Sequence, residues 1–322
     1  MNAEWIDALP RWLAAGPVAL VTVAHVEGSA PREAGAAFLV SGNDTLGTIG
    51  GGHLEFEAIR HARDMLDATS PIALKRYALG PSLGQCCGGV VWLLFEVIAP
   101  AERDTWARRL AQWRNGLPIQ RSARSVVASS RWAPSRDTPR VEFHLQGEAW
   151  DFEQVLRREA FPIFVFGAGH VGEAIVHALA PVSSEIVWID SREDAFPAGR
   201  PAGVETQWTD DPASEVAYAP PGTWFLVLTH SHDLDLAICT AILERNDFAF
   251  FGLIGSKSKR ARFAARLAAR GLDTGRMTCP IGLPGIPGKA PATIAVAVAA
   301  QLLQLREARP AHHPADALEL HG

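Results

Sequence analysis

The segment PIFVFGAGHVG, residues 162–172, decides the fold of the second half of the chain. Its apolar start, Pro162–Phe166, is continuous, as in parallel strands that are buried on both faces. The glycines that follow have the G-x-G-x-x-G spacing that joins a strand to a helix in dinucleotide-binding domains: Gly167, Gly169 and Gly172. Asp190 stands 23 positions after Gly167, at the predicted end of the next strand. The segment therefore predicts a Rossmann-like β-α-β unit.

The same segment offers a binding site for a phosphate. Glycines let a phosphate approach the backbone, and the N-terminus of the following helix supplies N–H donors and a favourable dipole. Asp190 is placed to bind a ribose diol, and His170 sets a titratable ring beside the phosphate position. A Rossmann fold that binds no dinucleotide is equally compatible with the pattern, so NAD(P) or another nucleotide stays an open alternative.

Strands and helices alternate after this point, which is typical of a doubly wound parallel sheet. Further strands are predicted at Glu185–Ile189, Thr223–Leu228 and Phe248–Ile254, and helices at Val171–Leu179, Ser258–Arg270 and Ala292–Leu305. The last helix follows Pro291 and is nearly all apolar, so we expect it to pack in the core. We assign residues 156–308 to a Rossmann-like α/β domain and residues 309–322 to a frayed tail.

Residues 1–155 predict a smaller α+β domain. Short apolar strands are expected at Val18–Val23 and Gly89–Val97, with a helix at Leu54–Leu66. The segment Arg121–Arg140, rich in Ser, Pro and Arg, predicts irregular structure or a weakly paired hairpin before a strand at Val141–Leu145. The change of pattern places the domain boundary after residue 155.

The composition excludes several classes of protein. Of the 322 residues, 48% are hydrophobic and 20% charged, which is typical of a globular protein rather than a disordered one. The net charge of −5 disfavours a nucleic-acid binder. The acidic N-terminus lacks the basic start of a signal peptide, and no apolar run has the length and continuity of a membrane span. We therefore expect a cytoplasmic protein with reduced thiols and no membrane or nucleic-acid partner.

Two adjacent cysteines stand in a glycine-rich stretch before an apolar strand. Cys86 and Cys87 lack the C-x-x-C spacing of a zinc site, and adjacent cysteines do not form a disulfide with each other without strain. Flanked by Gln85 and Gly88, the two thiols suit a soft ligand: molybdenum, a sulfur atom in transit, or copper. The alternative is that two small residues pack at the start of the strand.

A run of glycines precedes the predicted helix at Leu54. Gly50, Gly51 and Gly52 stand directly before His53, and such a run can form a cradle of backbone N–H groups for an anion. Arg32, upstream, offers a guanidinium to a phosphate or carboxylate. The alternative is a tight turn that needs positive φ.

A histidine-rich segment follows the strand Thr223–Leu228, at the sheet edge where ligands of open α/β folds bind. His230 and His232 alternate along it, so both can face one site, where a transition metal is one candidate ligand. The alternative is that Ser231 or Asp233 caps the next helix and one histidine contacts a ligand.

The next strand ends in a second polar segment that would line the same crevice. Gly255 and Ser256 follow the strand Phe248–Ile254, and Lys257 adds positive charge there. Lys259 and Arg260 are expected on a solvated helix face.

The segment Cys279–Ala290 does not form a P-loop. Gly282 and Gly288 are six positions apart where a P-loop needs five, and Ala290 replaces the Ser or Thr that holds Mg²⁺. An ATPase is therefore rejected, and Cys279 is expected to pack. The sequence contains neither a G-x-S-x-G nor an H-E-x-x-H signature, which disfavours a conventional hydrolase.

Taken together, these motifs resemble the xanthine dehydrogenase accessory protein family (XdhC/CoxI). The motifs stand in the family's order and span nearly the whole chain, except for a central insert at about residues 101–150. The matching segments are Gly28–Glu33, Gly47–Glu55, Leu83–Gly89, Val165–Gly172, Thr229–Asp235, Gly252–Ser256 and Cys279–Lys289.

The resemblance implies a two-domain chaperone that binds molybdenum cofactor (molybdopterin), supports replacement of its oxo ligand by sulfido, and delivers it to an apo xanthine dehydrogenase or related molybdoenzyme. A cysteine desulfurase would supply sulfur. The cysteine pair matches the family's cysteine-glycine motif, so Cys86 and Cys87 are carried over as cofactor, molybdenum or sulfur contacts, with His53 and the preceding glycines as neighbours. The resemblance leaves open whether the Rossmann glycines hold a nucleotide or the pterin phosphate, and whether the protein is a homodimer.

Three rival functions stay open at this stage. An NAD(P)-dependent oxidoreductase would share the Rossmann motif but would leave the cysteine pair unexplained. A nucleotide-sensing module would need no chemistry. A copper or zinc protein would use His230, His232 and a thiol.

Overall fold

The computed structural model describes residues 4–66, 71–80, 88–127, 129–158, 161–183, 185–201 and 203–308. The chain divides into two compact units, residues 1–159 and residues 160–322. Gln85, Cys86 and Cys87 lie outside the described residues, so the predictions on them stay predictions from the sequence.

The first unit is built on antiparallel sheets. One sheet has the strand order β3-β2-β1-β5-β4 and the other has the order β7-β6-β9-β8. The elements are α1 (Glu4–Leu13), β1 (Val18–Glu27), β2 (Ala37–Val40), β3 (Thr45–Gly47), α2 (Gly52–Leu66), β4 (Ile72–Ala78), β5 (Val90–Ile98), α3 (Arg103–Arg114), β6 (Ile119–Arg124), β7 (Arg131–Pro134), β8 (Arg140–Gln146) and β9 (Ala149–Leu156).

Helices cover both faces of the first sheet. On one face, Ala58 and Ala62 of α2 pack against Phe38 of β2 and Phe95 of β5. On the other face, α1 and α3 bring aromatic side chains into a core that includes Trp5, Trp106 and Trp132. The Trp106 and Trp132 rings meet edge to face with their centroids 4.8 Å apart. The sheet is thus buried on both sides, which explains its continuous apolar strands.

A buried ion pair lies in the first unit. Arg121 of β6 is fully buried, and its Nη2 lies 2.6 Å from Oε2 of Glu96. Arg121 also donates from Nη1 to Oγ1 of Thr22 at 2.8 Å, and its guanidinium lies over the rings of Trp132 and Phe152. Of the two structures predicted for segment 121–140, the hairpin is the one that forms, because β6 pairs with β7. Arg121 is, however, a core residue rather than part of an irregular surface segment.

The second unit contains one parallel sheet with the order β12-β11-β10-β13-β14-β15. This is the order 3-2-1-4-5-6 of the doubly wound Rossmann fold, so the predicted fold class is confirmed. The elements are β10 (Ile163–Phe166), α4 (His170–Leu179), β11 (Ile186–Asp190), β12 (Val204–Trp208), β13 (Trp224–Val227), α5 (His232–Arg245), β14 (Phe250–Leu253), α6 (Lys257–Ala268), β15 (Met277–Thr278) and α7 (Pro291–Glu307).

Helices pack on both faces of this sheet as well. Buried residues of α4 and α7 form one core with the sheet, and those of α5 and α6 form the other. The expectation that α7 packs in the core holds for one face, which includes Val298 and Leu302. Its opposite face is open, since Val296 is 63% exposed.

Two strands of this sheet, β12 and β15, are absent from the sequence prediction. The strand β12 lies at the edge of the sheet, and its residues Val204–Trp208 are mostly polar or exposed. The segment Thr223–Leu228 therefore supplies the fourth strand, β13, rather than the third, and β14 is the fifth. Along the described chain, no helix is long and apolar enough to cross a membrane.

Candidate functional site

The turn after β10 contains three glycines, of which two pack against neighbouring backbone atoms and one faces open space. A Cβ at Gly172 would lie 2.0 Å from the carbonyl oxygen of Gly167, and a Cβ at Gly167 would lie 2.4 Å from that of Leu228. Gly169, by contrast, has no neighbouring atom within 4 Å of the position of a Cβ and is exposed at the start of α4. Gly167 and Gly172 therefore allow close packing of the backbone, and Gly169 leaves the approach to the helix N-terminus open.

His170 begins α4 and is exposed to solvent. Its position at the N-terminus of the helix is the one predicted from the sequence. On the buried side of the turn, Nε1 of Trp188 donates to the carbonyl oxygen of Gly167 at 3.0 Å. The Trp188 hydrogen bond thus holds the buried side of the turn, while Gly169 and His170 on the other side are exposed to solvent.

Asp190 ends β11 beside the glycine turn, with both carboxylate oxygens already hydrogen-bonded. Oδ2 accepts from the amide of Ala168 at 2.6 Å and from Nη2 of Arg192 at 3.0 Å. Oδ1 accepts from the amide of Arg192 at 2.9 Å and from its Nε at 3.0 Å. The side chain of Asp190 is only 1% exposed.

These contacts change the electrostatics of Asp190. Burial alone raises the pKa of this carboxyl group, but the hydrogen bonds from the Arg192 side chain and from two backbone amides outweigh burial, so the pKa lies below its usual range. A ribose diol at this position would have to displace Arg192. Asp190 therefore organises the turn from within the protein in this structure.

The segment after β13 is held by a buried carboxylate that the sequence prediction missed. Oδ1 of Asp235 accepts from the amide of Thr229 at 2.9 Å and from its Oγ1 at 2.7 Å. Ser231 is the N-cap of α5, since its Oγ accepts from the amide of Leu234 at 3.4 Å. Of the two caps predicted for this helix, Ser231 and Asp233, the structure shows Ser231. His230 and His232 are both exposed.

Lys259 corrects the expectation of a solvated helix face. This residue is 9% exposed, and its Nζ lies 2.6 Å from Oδ2 of Asp235. A Cβ at Gly255 would lie 2.6 Å from Cδ of Lys259, so this glycine makes room for the lysine stem. Ser256 caps α6, because its Oγ accepts from the amide of Lys259 at 3.2 Å. Arg260 is exposed, as expected.

The glycine run of the first unit has positive φ at all three positions: +113° at Gly50, +73° at Gly51 and +69° at Gly52. Its N–H cradle already holds a carboxylate. Oε2 of Glu55 accepts from the amide of Ile49 at 2.9 Å, from that of Gly51 at 3.1 Å and from Oγ1 of Thr48 at 2.6 Å. An incoming anion would have to replace Glu55 at these donors.

The structure brings segment 28–31, the glycine run and Gly89 together around the end of β1. A Cβ at Gly89 would lie 2.4 Å from the carbonyl oxygen of Ser29, so the two backbones approach closely. A Cβ at Gly50 would lie 2.1 Å from Cβ of Pro31. Segment 28–31 therefore contacts both the glycine run and Gly89.

The charged residues predicted beside this cluster have partners of their own. Arg32 donates from Nε and Nη2 to the carboxylate of Glu33, both at 3.2 Å, and this pairing lowers the pKa of Glu33. His53 is half exposed, with Nε2 3.9 Å from Oε1 of Glu57. Both side chains remain accessible for a ligand that competes with these surface contacts.

Models of a single family match both units of the chain. The model of the XdhC and CoxI family matches residues 12–78, and that of the XdhC Rossmann domain matches residues 163–302. This chain belongs to the XdhC/CoxI family. The matched segments cover more than half of the chain and contain the glycine run and the Rossmann turn.

Individual XdhC/CoxI relatives agree with the match. A Bacillus subtilis (strain 168) protein described as a probable xanthine dehydrogenase subunit is 26% identical over 319 residues, covering 89% of this chain and 93% of the relative. A crystal structure from Bacillus halodurans, described as a xanthine dehydrogenase, superposes with a TM-score of 0.77 at 23% identity, covering 96% of this chain and 98% of the other. The structural likeness supports the fold, and the family match associates the chain with xanthine dehydrogenase.

The remaining thiols of this XdhC/CoxI chain are structural. Cys239 and Cys279 are both buried, and burial raises the pKa of each thiol. Sγ of Cys279 lies 3.9 Å from the carbonyl oxygen of Ser256, consistent with the expected packing role. Across the described part of the chain, no group of three or more His, Cys, Asp or Glu side chains forms a metal site.

Some residues of the candidate site are not among the predicted site residues, and the sequence offers only weak signals for them. Arg192 lies two positions after Asp190, a spacing at which a side chain can reach back to its neighbour across a turn. Glu55 lies in the first turn of the helix that follows the glycine run, where a carboxylate favours the helix N-terminus. The pairing of Asp235 with Lys259 joins different helices across 24 positions, and a single sequence carries no local signal for it.

Proposed function

We propose that this XdhC/CoxI chain binds molybdenum cofactor and supports its sulfuration and insertion into a xanthine-dehydrogenase-type enzyme. The observation that carries the proposal is the family match, which covers the glycine-rich part of the first unit as well as the Rossmann domain. The Bacillus subtilis relative, by its description as part of a xanthine dehydrogenase, supports the same class of client enzyme.

The geometry of the Rossmann turn favours a phosphate monoester, such as that of the pterin, over a dinucleotide. The open side at Gly169 and the N-terminus of α4 suit a phosphate. Asp190, which would bind the ribose diol of NAD, is buried under Arg192 with both oxygens engaged. A phosphorylated ligand without that diol contact needs no rearrangement of this pair.

In this proposal the first unit holds the metal end of the cofactor as cargo. Cys86 and Cys87 are the soft ligands suited to molybdenum or to a sulfur atom. Gly88 would supply an N–H donor and Arg32 a guanidinium nearby, since Glu55 already accepts from the amide of Gly51 in the glycine run. A cysteine desulfurase supplies the sulfur, and docking on the apo-enzyme releases the cargo. Transfer requires moderate affinity, which fits a site with few protein ligands.

The test is binding of molybdenum cofactor to the purified full-length chain. We expect saturable binding by the wild type and a loss of at least about tenfold in affinity for the Cys86→Ala/Cys87→Ala variant, since each thiol contributes a ligand. Cys279→Ala is the matched control, because it removes a buried thiol outside the proposed site, and it should bind like the wild type. Absence of binding by the wild type would overturn the proposal and favour a nucleotide-binding Rossmann protein.

A further inference from the structure

A cavity lies at the carboxyl edge of the parallel sheet, and no residue of the glycine turn lines it. Its volume is about 410 Å³. It is lined by His232, Ile254, Gly255, Ser256, Ser258, Lys259 and Arg262. This size is sufficient for a small anionic group, and the location at strand ends is the one that ligands of open α/β sheets occupy.

The wall of the cavity is positively charged. Lys259 and Arg262 are cationic, and the described residues that line the cavity include no carboxylate. Lys259 is held in place from beneath by Asp235 at 2.6 Å, so its position is fixed in the absence of a ligand. Arg262 is exposed, and it forms no ion pair with any described residue. An oxyanion in the cavity would meet the uncompensated guanidinium of Arg262, beside Lys259, whose ammonium is paired with Asp235.

Backbone and hydroxyl groups add to this potential. His232 is the first residue of α5 and Ser256 is the N-cap of α6, so the positive ends of two helix dipoles lie at the cavity. Ser258 contributes a further hydroxyl donor to the lining. The nearby Asp233 does not line the cavity, and its Oδ1 lies 3.9 Å from Nη1 of Arg266.

We propose that this cavity, the α5–α6 cavity, is a second oxyanion subsite of the Rossmann domain. The glycine turn follows β10 and the cavity follows β14, with β13 between them, so the two subsites lie about 10 Å apart at the usual strand spacing. The ligand class is therefore a molecule with two anionic groups, one phosphate at the glycine turn and a second phosphate-like group in the cavity. The inference rests on the proposed function and deepens it.

The test measures binding of inorganic phosphate to the full-length chain by titration calorimetry. We expect two sites for phosphate in the wild type. Arg262→Gln should weaken one of them by about tenfold or more, because a charge-assisted hydrogen bond is lost. Arg260→Gln is the matched control, since Arg260 is exposed on the same helix but does not line the cavity. Gly169→Ala should weaken the other site and leave the cavity site unchanged.

The outcomes separate this inference from the proposed function. Equal affinities for Arg262→Gln and Arg260→Gln, or a single site that Gly169→Ala alone weakens, would overturn the cavity subsite. Weakening of one phosphate site by Arg262→Gln but not by Arg260→Gln would support the cavity subsite. Two phosphate sites in a chain that does not bind molybdenum cofactor would support the subsite as an oxyanion site and overturn the proposed function alone.

Discussion

Glu55 supplies the glycine run of the first unit with a carboxylate from its own chain. The amides of Ile49 and Gly51 and the hydroxyl of Thr48 all donate to the same oxygen of Glu55. In the glycine turn of the second unit, Asp190 accepts from the amide of Ala168, but Gly169 is exposed and has no atom within 4 Å of a Cβ position. The two glycine-rich segments look alike in the sequence, yet only the second has an exposed glycine with open space at a helix N-terminus.

Replacing Glu55 by Ala should lower the free energy of unfolding by about 1–3 kcal/mol, because two backbone amides and a hydroxyl lose their acceptor. Urea denaturation measures this change. Glu57→Ala is the control: Glu57 makes surface pairs with His53 and Arg60, so its loss should change stability by less than about 1 kcal/mol. Equal effects of the two variants would contradict the role assigned to Glu55.

The carboxyl group of Asp190 makes stability depend on pH. Hydrogen bonds hold its pKa in the folded state below the unfolded value of about 3.9. The group therefore contributes stability above about pH 4, and this contribution is lost as the pH falls through the folded pKa. Asp190→Asn should cost about 1–3 kcal/mol near pH 7, and the difference from the wild type should shrink below about pH 4.

Urea denaturation of both proteins between about pH 3 and pH 7 tests this expectation. The control is Asp194→Asn, because Asp194 is exposed close to Asp190 in the sequence. A difference for Asp190→Asn that stays constant, or grows as the pH falls, would refute the assignment of a lowered pKa to this group.

At the scale of elements, the connection from β10 to α4 contains two glycines that pack against backbone and one that faces open space. Gly172→Ala should cost at least about 3 kcal/mol, because its Cβ would lie 2.0 Å from a backbone oxygen of the turn. Gly169→Ala meets no neighbouring atom and should cost about 1 kcal/mol or less, as expected for Ala at an N-cap. Thermal unfolding compares the two. Similar losses in both variants would contradict the geometry of the turn.

The sequence predicts the elements that have strong local patterns. Continuous apolar runs and the glycine spacing identify β10, β11, β13 and β14, because buried parallel strands need no alternation. The edge strand β12 is different: only Val204 is buried among its five residues, so no apolar run identifies it. The hairpin of β6 and β7 is predicted only as one of two alternatives, because its strands are rich in arginine, and Arg121 is buried through a distant partner, Glu96.

In the candidate site, too, some features can be predicted from the sequence and others cannot. Backbone features such as the glycine turn and the helix caps at Ser231 and Ser256 follow from local sequence, because capping depends on neighbouring residues. Side-chain partners do not: Asp190 has the expected position, but its pairing with Arg192 depends on the path of the turn. The burial of Lys259 depends on Asp235 of another helix, so its surroundings could not be predicted from a single sequence.

At the scale of the whole molecule, each unit has its own hydrophobic cores. The core clusters on the two faces of the parallel sheet draw only on residues of the second unit, from Phe161 to Leu302. The clusters that cover the antiparallel sheets draw only on residues of the first unit, from Trp5 to Leu156. A unit that buries its own apolar residues in this way meets the main requirement for folding alone.

The second unit should therefore fold as an isolated fragment of residues 160–308 and keep the two proposed anion sites. We expect cooperative urea unfolding of the fragment and phosphate binding with the same dependence on Gly169 and Arg262 as in the full chain, because both subsites are built from elements of this unit. A shorter fragment, residues 176–308, is the control: it lacks β10, which pairs with both β11 and β13, so it should show no cooperative transition. The isolated fragment and the full-length chain contain the same apolar residues of the second unit. Non-cooperative unfolding of the longer fragment would therefore show that these residues need the first unit to form a stable core.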